Sequence, residues 1–217
     1  MSVQLSLLPE ESTATEPDVD PPLGLEYHPQ LLTAHGEAEL LEWIDAHEWL
    51  TDLSRRVQHF GYKYDYSNRR LDDSAHIGPL PEWLTQLAHK VRATASEDVK
   101  CLLDSQRPFE QAIVNEYLPG QGIAPHVDRD CFGPVVATVS LGSAVSMDFC
   151  RKSGGVEFVQ RLEPRSLLLI YGDARARWRH GIAKRRSDAW NGQKIERRRR
   201  VSITFRTVPD SRELLHS

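Results

Sequence analysis

From residue 111 onward the chain is written as short runs rich in Val, Ile, Thr and Tyr, each cut off by Gly or Pro. That grammar restricts the fold to packed antiparallel sheet. The runs cover 112–118, 135–141, 145–149, 156–160, 166–171 and 201–207, all too short for independent helices. The first half reads differently. Between 38 and 47, Leu40, Leu41 and Ile44 recur at helical spacing. A second amphipathic segment opens at Pro81 or Glu82, where proline suits a first turn, and continues through Leu84, Leu87, Ala88 and Val91. Two helices ahead of a series of strands predict a mainly β protein with flanking α-helices, a double-stranded β-helix or jelly roll covered on one side.

The organisation that follows is one folded domain over 24–208, with helices and a lid in 24–110 and the strand-rich core in 111–208. Tails occupy 1–23 and 209–217. Residues 9–22 consist almost wholly of Pro, Glu, Asp, Ser and Thr, too polar to repay the entropy of ordering. Ahead of them Gln4, Leu5, Ser6, Leu7 and Leu8 form a small apolar island. No apolar run approaches the roughly 20 residues of a membrane span, so no membrane partner is expected. Without a basic and apolar leader the chain is expected in the cytoplasm, as a monomer. Cys101, Cys131 and Cys150 show neither CxxC spacing nor an even-numbered framework, which speaks against a zinc site and a disulfide scaffold. Net charge is only -4, yet Arg and Lys crowd the stretch from 175 to 206. A basic face of this kind predicts a polyanionic partner, with Arg197, Arg198 and Arg199 as a solvated surface run.

His126-Val127-Asp128, followed by His180, carries the chemistry. Two imidazoles and one carboxylate, the first pair at i and i+2 on an extended segment, make the facial triad of non-haem Fe(II), which leaves one face of the ion open for a co-substrate and dioxygen. The turn at 119–122 is expected to deliver His126 to the start of a strand, and His180 follows a strand exit at Tyr171-Gly172-Asp173. On the strand through 200–206, Arg200, Ser202, Thr204 and Arg206 share one face. Two guanidiniums on the wall of a barrel need anionic mates, and a small dicarboxylate supplies one for each. The reading is 2-oxoglutarate, with Asn115 and Tyr117 adding hydrogen bonds from 112–118. Tyr62, Tyr64 and Tyr66 alternate beside Arg55, Arg56, Arg69 and Arg70, a pattern suited to a splayed nucleotide, with rings for the base and guanidiniums for its phosphates.

Together these pieces resemble the AlkB-like Fe(II)/2-oxoglutarate dioxygenases over roughly 25–207. The matching segments are Asn115-Glu116-Tyr117, the turn leading into His126-x-Asp128, Val139-Ser140-Leu141-Gly142, His180-Gly181-Ile182, and Arg200 through Arg206. Residues 55–62 and 143–149 look most like the branch of AlkB homologue 8, in a stand-alone bacterial form. The resemblance implies Fe(II), 2-oxoglutarate and O2, with His126, Asp128 and His180 as catalytic metal ligands. The implied reaction is oxidative demethylation of alkylated DNA or RNA bases of the 1-methyladenine or 3-methylcytosine type, releasing formaldehyde, succinate and carbon dioxide. It also matches Asp130 to an acidic position that contacts the substrate base. Two alternatives stand beside it, a tRNA-modifying hydroxylase and a protein-directed oxygenase. The chain departs from AlkB in having Ser202 where Asn is found, and in a tyrosine-rich lid that lacks AlkB's tryptophan. Residues 4–8 resemble the peptide with which bacterial proteins dock on the replication sliding clamp, with Leu8 in place of Phe.

Overall fold

Thr33 starts the first helix earlier than the apolar spacing suggests: its hydroxyl accepts the Gly36 amide at 3.1 Å, capping a helix that runs from Ala34 to Asp45. The computed structural model describes residues 20–51, 54–63, 75–103, 108–151, 154 and 156–208. Residues 4–8, Tyr64, Tyr66, Arg69, Arg70 and the C-terminal tail from 209 lie outside these. In chain order the elements are β1 Leu25–His28, α1 Ala34–Asp45, β2 Val57–Phe60, α2 Glu82–Thr94, α3 Glu97–Leu102, β3 Gln111–Tyr117, β4 Ile123–His126, β5 Val136–Gly142 and β6 Val145–Arg151. They continue with β7 Val156–Leu162, β8 Leu167–Ile170, α4 Gly172–Ala176, β9 Trp178–Ile182, β10 Ser187–Trp190, β11 Gln193–Glu196 and β12 Arg200–Arg206.

A six-stranded sheet in the order β1-β8-β5-β12-β3-β2 faces a four-stranded sheet in the order β4-β9-β6-β7, every pairing antiparallel. This is the jelly roll. β1 and β2 come from the half read as helices and lid and close the two edges of the large sheet, so the sheet extends beyond 111–208. The outer face of that sheet packs Val114, Val139, Leu141, Ile203 and Phe205 against Ile44 of α1 and Leu84, Leu87 and Val91 of α2. Burying each such side chain contributes about 1.5–3 kcal/mol. A second cluster, including Met147, Phe149, Leu168, Ile170, Trp178 and Ile182, joins β8 to the smaller sheet. Trp178 is thus a packing residue, with the Arg151 guanidinium 4.9 Å above its ring.

Glu116 breaks the apolar pattern of that outer face and is only 1% exposed. It accepts two hydrogen bonds from Arg56, both at 2.6 Å, and one from Arg199 at 2.7 Å. Arg199 also reaches Asp45 on α1. The Arg56 hydrogen bonds, opposed by burial and reinforced by Arg199, hold the Glu116 carboxyl below its ordinary range. Glu116→Ala takes the carboxylate from a half-exposed Arg56 and leaves Arg199 on Asp45 alone, and we expect a loss of about 1–3 kcal/mol in unfolding free energy; an unchanged denaturant midpoint would remove the network from the account of stability.

The basic run is divided between the interior and the surface, and Arg197 corrects the expectation of a solvated run over Arg197, Arg198 and Arg199. Arg197 is buried and pairs with the buried Asp188, which also accepts from Arg185. Arg175 is buried and donates to the carbonyls of Arg129 and Phe132, both at 2.9 Å. Arg177, Lys184, Arg185, Arg186, Lys194 and Arg198 remain exposed. The cause is the hairpin β10–β11, whose turn at Asn191 and Gly192 takes left-handed backbone, φ 49° and 71°, as tight hairpins require. It folds the chain so that Asp188 meets Arg197. No described helix is long and apolar enough to cross a membrane.

Candidate active site

The register of the large sheet builds one wall of a cavity in rows. β12 pairs with β3 and β5 so that Arg200 lies beside Tyr117, Ser202 beside Asn115 and Ser140, Thr204 beside Ile113 and Thr138, and Arg206 beside Gln111 and Val136. Successive residues alternate faces, so these rows look inward while Val201, Ile203 and Phe205 look toward the helices. The cavity between the sheets measures about 400 Å³. Six residues expected around a keto acid, Asn115, Tyr117, Arg200, Ser202, Thr204 and Arg206, all line it.

His126 and His180 face each other across β4 and β9, ring centroids 4.6 Å apart. His126 closes β4 instead of opening a strand, which differs from the placement expected of it, whereas His180 does follow the strand exit after β8, beyond the short helix α4 and in the middle of β9. Gly181 permits the close approach of these strands, since a Cβ there falls 2.8 Å from the Pro125 nitrogen and 2.9 Å from the Ile123 carbonyl oxygen. We therefore expect Gly181→Ala to weaken Mn(II) binding about 10- to 100-fold by prising the imidazoles apart. An unaltered Mn(II) titration would show that the spacing does not matter.

His126, Asp128 and His180 offer ligand atoms that all lie within 4.8 Å of one another. The His126 Nδ1 lies 3.0 Å from the Ala124 carbonyl and donates to it as the Nδ1–H tautomer, leaving the Nε2 lone pair for an ion. The Asp128 Oδ1 accepts from Arg206 at 3.1 and 2.8 Å, while its buried Oδ2 has no hydrogen-bond donor and lies 3.4 Å from the His180 Nε2. Burial opposes ionisation of Asp128. The charges of Arg206, His180 and His126 overcome it and hold the carboxyl well below the usual range. Burial, only partly offset by Asp128, pushes His180 down from 6.5 to about 4. Both groups thus stand in their ligating forms at neutral pH, and a carboxylate oxygen left without a donor beside two imidazoles fits a ferrous ion. The proton balance has a definite sign. Between pH 6.5 and about 4 the unfolded chain protonates at His180 where the folded one does not, so the metal-free protein loses stability as pH falls through that window. Urea midpoints across the window check this, and His180→Gln should flatten the slope.

Arg200 is 2% exposed, yet no carboxylate meets it among the described residues. Its Nη2 donates to the Ser140 hydroxyl at 3.0 Å, its guanidinium lies 5.3 Å from the Tyr117 ring centroid, and its Nε has no partner. Burial pushes it down to about 10. A buried cation without an anion is a built site for a carboxylate. Arg206 packs 4.5 Å over Phe132 and donates to the Gln111 side chain as well as to Asp128.

Residues 34–206 match the 2OG-Fe(II) oxygenase superfamily. The chain belongs to that superfamily. Within it the chain is AlkB-like. It is 38% identical to an uncharacterized Acanthamoeba polyphaga mimivirus protein, L905, over 82% of this chain and 81% of the relative. It is 32% identical to an Arabidopsis thaliana protein described as an alkylated DNA repair protein ALKBH8 homolog, over 85% of this chain and 58% of that one. It is 34% identical to the Xenopus tropicalis tRNA (carboxymethyluridine(34)-5-O)-methyltransferase alkbh8, over 88% of this chain and only 32% of the relative. The chain therefore spans less than two thirds of these last two proteins. The solved structure of OsALKBH1 has the same fold, with a TM-score of 0.64 at 17% identity over 85% of this chain and 96% of that one. Fe(II), 2-oxoglutarate and dioxygen are the superfamily's reactants, and when bound they supply the oxidising power to insert an oxygen atom into a C–H bond.

The structure separates the residues expected to meet substrate. Arg55 lines the oxygenase cavity. Arg56 turns the other way, to Glu116 and the Trp49 ring. Tyr62 stands against His76, ring centroids 5.0 Å apart, in a different cavity bordered by α2. Asp130 is exposed, and its neighbour Arg129 reaches the oxygenase cavity instead. Gln111 shares the inward face of β3 with Asn115, and its even spacing from that residue was the signal that could have found it. Phe132 and Arg175, which brace Arg206 and the segment after Asp128, carry no such signal.

Proposed function

We propose that this oxygenase oxidises alkylated bases in nucleic acid, removing N-methyl groups of the 1-methyladenine or 3-methylcytosine type as formaldehyde. The supporting observation is the solvent-open cavity of about 400 Å³ that has the metal triad on one wall and the cations Arg55 and Arg129 on others. Such a shape suits a base drawn out of its stack with the flanking phosphates left outside. In this reading Arg200 would hold the distal carboxylate of 2-oxoglutarate, Arg206 would meet its keto acid end, and Asn115, Tyr117, Ser202 and Thr204 would complete the pocket. Arg206 keeps Asp128 ionised, the Ala124 carbonyl fixes the His126 tautomer, and Ile123, Met147 and Ile182 line the cavity with apolar surface that excludes water.

One observation favours a second reading, stable hydroxylation of a modified tRNA base. Asp128 is the one carboxylate among the described residues of the cavity wall, and Arg206 occupies it, so no free anion faces a cationic base. The likeness to the Xenopus protein named for carboxymethyluridine points the same way. Incubation with iron, 2-oxoglutarate and a mixture of methylated DNA and tRNA oligonucleotides, followed by mass spectrometry, decides. Loss of a methylene's mass supports demethylation, gain of one oxygen supports hydroxylation, and unaltered oligonucleotides beside active succinate formation would direct the search to a protein substrate.

A further inference from the structure

Arg55 and Arg56 are consecutive, and the sheet sends them to opposite faces. Val57 pairs with Asn115 in register, the Arg56 carbonyl accepts the Glu116 amide at 3.0 Å, and the Arg56 side chain is clamped on Glu116 behind the sheet. One residue earlier, the Ser54 carbonyl accepts the Gln121 side chain at 2.8 Å. Held from both sides, Arg55 projects into the cavity, where its Nε donates to the Asn115 Oδ1 at 2.8 Å and its guanidinium lies 5.7 Å from the Tyr117 ring centroid.

We propose that Arg55 is a positioning residue for the keto acid, acting by fixing which way the Asn115 carboxamide points. A carboxamide has one accepting oxygen and one donating NH2, whereas a guanidinium only donates. With Arg55 on the oxygen, the orientation of Asn115 is unambiguous and its NH2 is left for the cavity. Asn115 is 6% exposed, so bulk water does little to compete for that group. The oxygens of a 2-oxo acid only accept. The orientation set by Arg55 therefore presents a donor to them, and the flipped one would set oxygen against oxygen. Without Arg55 the amide is free to flip, and the pocket loses a preorganised hydrogen bond.

This inference rests on the proposed placement of 2-oxoglutarate against Asn115, and the test separates the two. Calorimetric binding of N-oxalylglycine to anaerobic, Mn(II)-loaded protein is measured for wild type, Arg55→Ala, Asn115→Ala and the double variant, with melting temperatures to confirm folding. We expect each single change to weaken binding about tenfold, the contribution of one good hydrogen bond. The double variant should be no weaker than Asn115→Ala alone, because the arginine acts only through the amide. Arg55→Gln, which can still donate to Oδ1, should recover part of the loss, and in turnover the Michaelis constant for 2-oxoglutarate should rise more than kcat falls in Arg55→Ala. Wild-type affinity in Asn115→Ala overturns the co-substrate placement. Weakened binding in Asn115→Ala with none in Arg55→Ala, or additive losses in the double variant, overturns the role of Arg55. A defect of Arg55→Ala confined to oligonucleotide binding overturns it too, and marks the residue as a phosphate contact.

Discussion

Asp128→Ala is expected to reduce succinate formation to the level of the metal-free protein and to abolish Mn(II) binding. The carboxylate has two tasks that no neighbour can assume. Its Oδ2 stands beside the His180 imidazole without a donor, and its Oδ1 neutralises Arg206. Removing it leaves two neutral rings to hold a divalent ion and a largely buried guanidinium with no anion, so metal and keto acid sites fail together. The fold should persist, since Asp128 belongs to neither hydrophobic cluster, with a lowered melting temperature that reflects the unpaired Arg206. Asp128→Asn separates the tasks: it preserves shape but not charge, and it too should lose the metal. Wild-type succinate production by either variant would reject the assignment of the ligands.

The second large effect is a divergence between stability and binding at Arg200. Arg200→Met keeps the length and bulk of the side chain and removes a cation that, without ligand, meets only a serine hydroxyl and an aromatic ring. Replacing a buried charge by an apolar side chain of similar volume is often neutral or stabilising, whereas binding a dicarboxylate without that charge is not possible at comparable affinity. The metal-free variant should therefore melt at or above the wild-type temperature while N-oxalylglycine no longer raises it. In the wild type, Mn(II) with the analogue at a hundred times its dissociation constant should add about 2.7 kcal/mol. A variant that keeps the full ligand-induced shift would place the keto acid elsewhere; one that unfolds would show that Ser140 and Tyr117 already satisfy the charge.

The site was legible where it depends on local spacing. The even spacing of Arg200, Ser202, Thr204 and Arg206 survives folding because a strand repeats every two residues whatever it packs against, while His126 and Asp128 converge although β4 ends at His126 and Asp128 lies beyond it. The helices were legible for the same reason, although Thr33 moved the start of α1 by a capping bond that apolar periodicity does not register. The hairpin β10–β11 is signalled in the sequence only by the turn pair Asn191-Gly192, since the four-residue strands on either side are too short and polar to show an apolar alternation. Its consequence is that Arg197, which stands in a run of basic residues typical of a surface, is buried on Asp188.

The sequence by itself determined the chemistry available to this protein: two imidazoles and a carboxylate fit for a ferrous ion, two guanidiniums on one strand face, and strands able to bring them around one cavity. Only the tertiary structure decided what each arginine does. Arg55 bonds Asn115 and Arg56 bonds Glu116 across 60 positions, and Arg199 reaches Asp45 across 154. A charge can be balanced by any opposite group that folding brings near, so no periodicity along the chain records the choice, and adjacent arginines end on opposite faces of the same sheet.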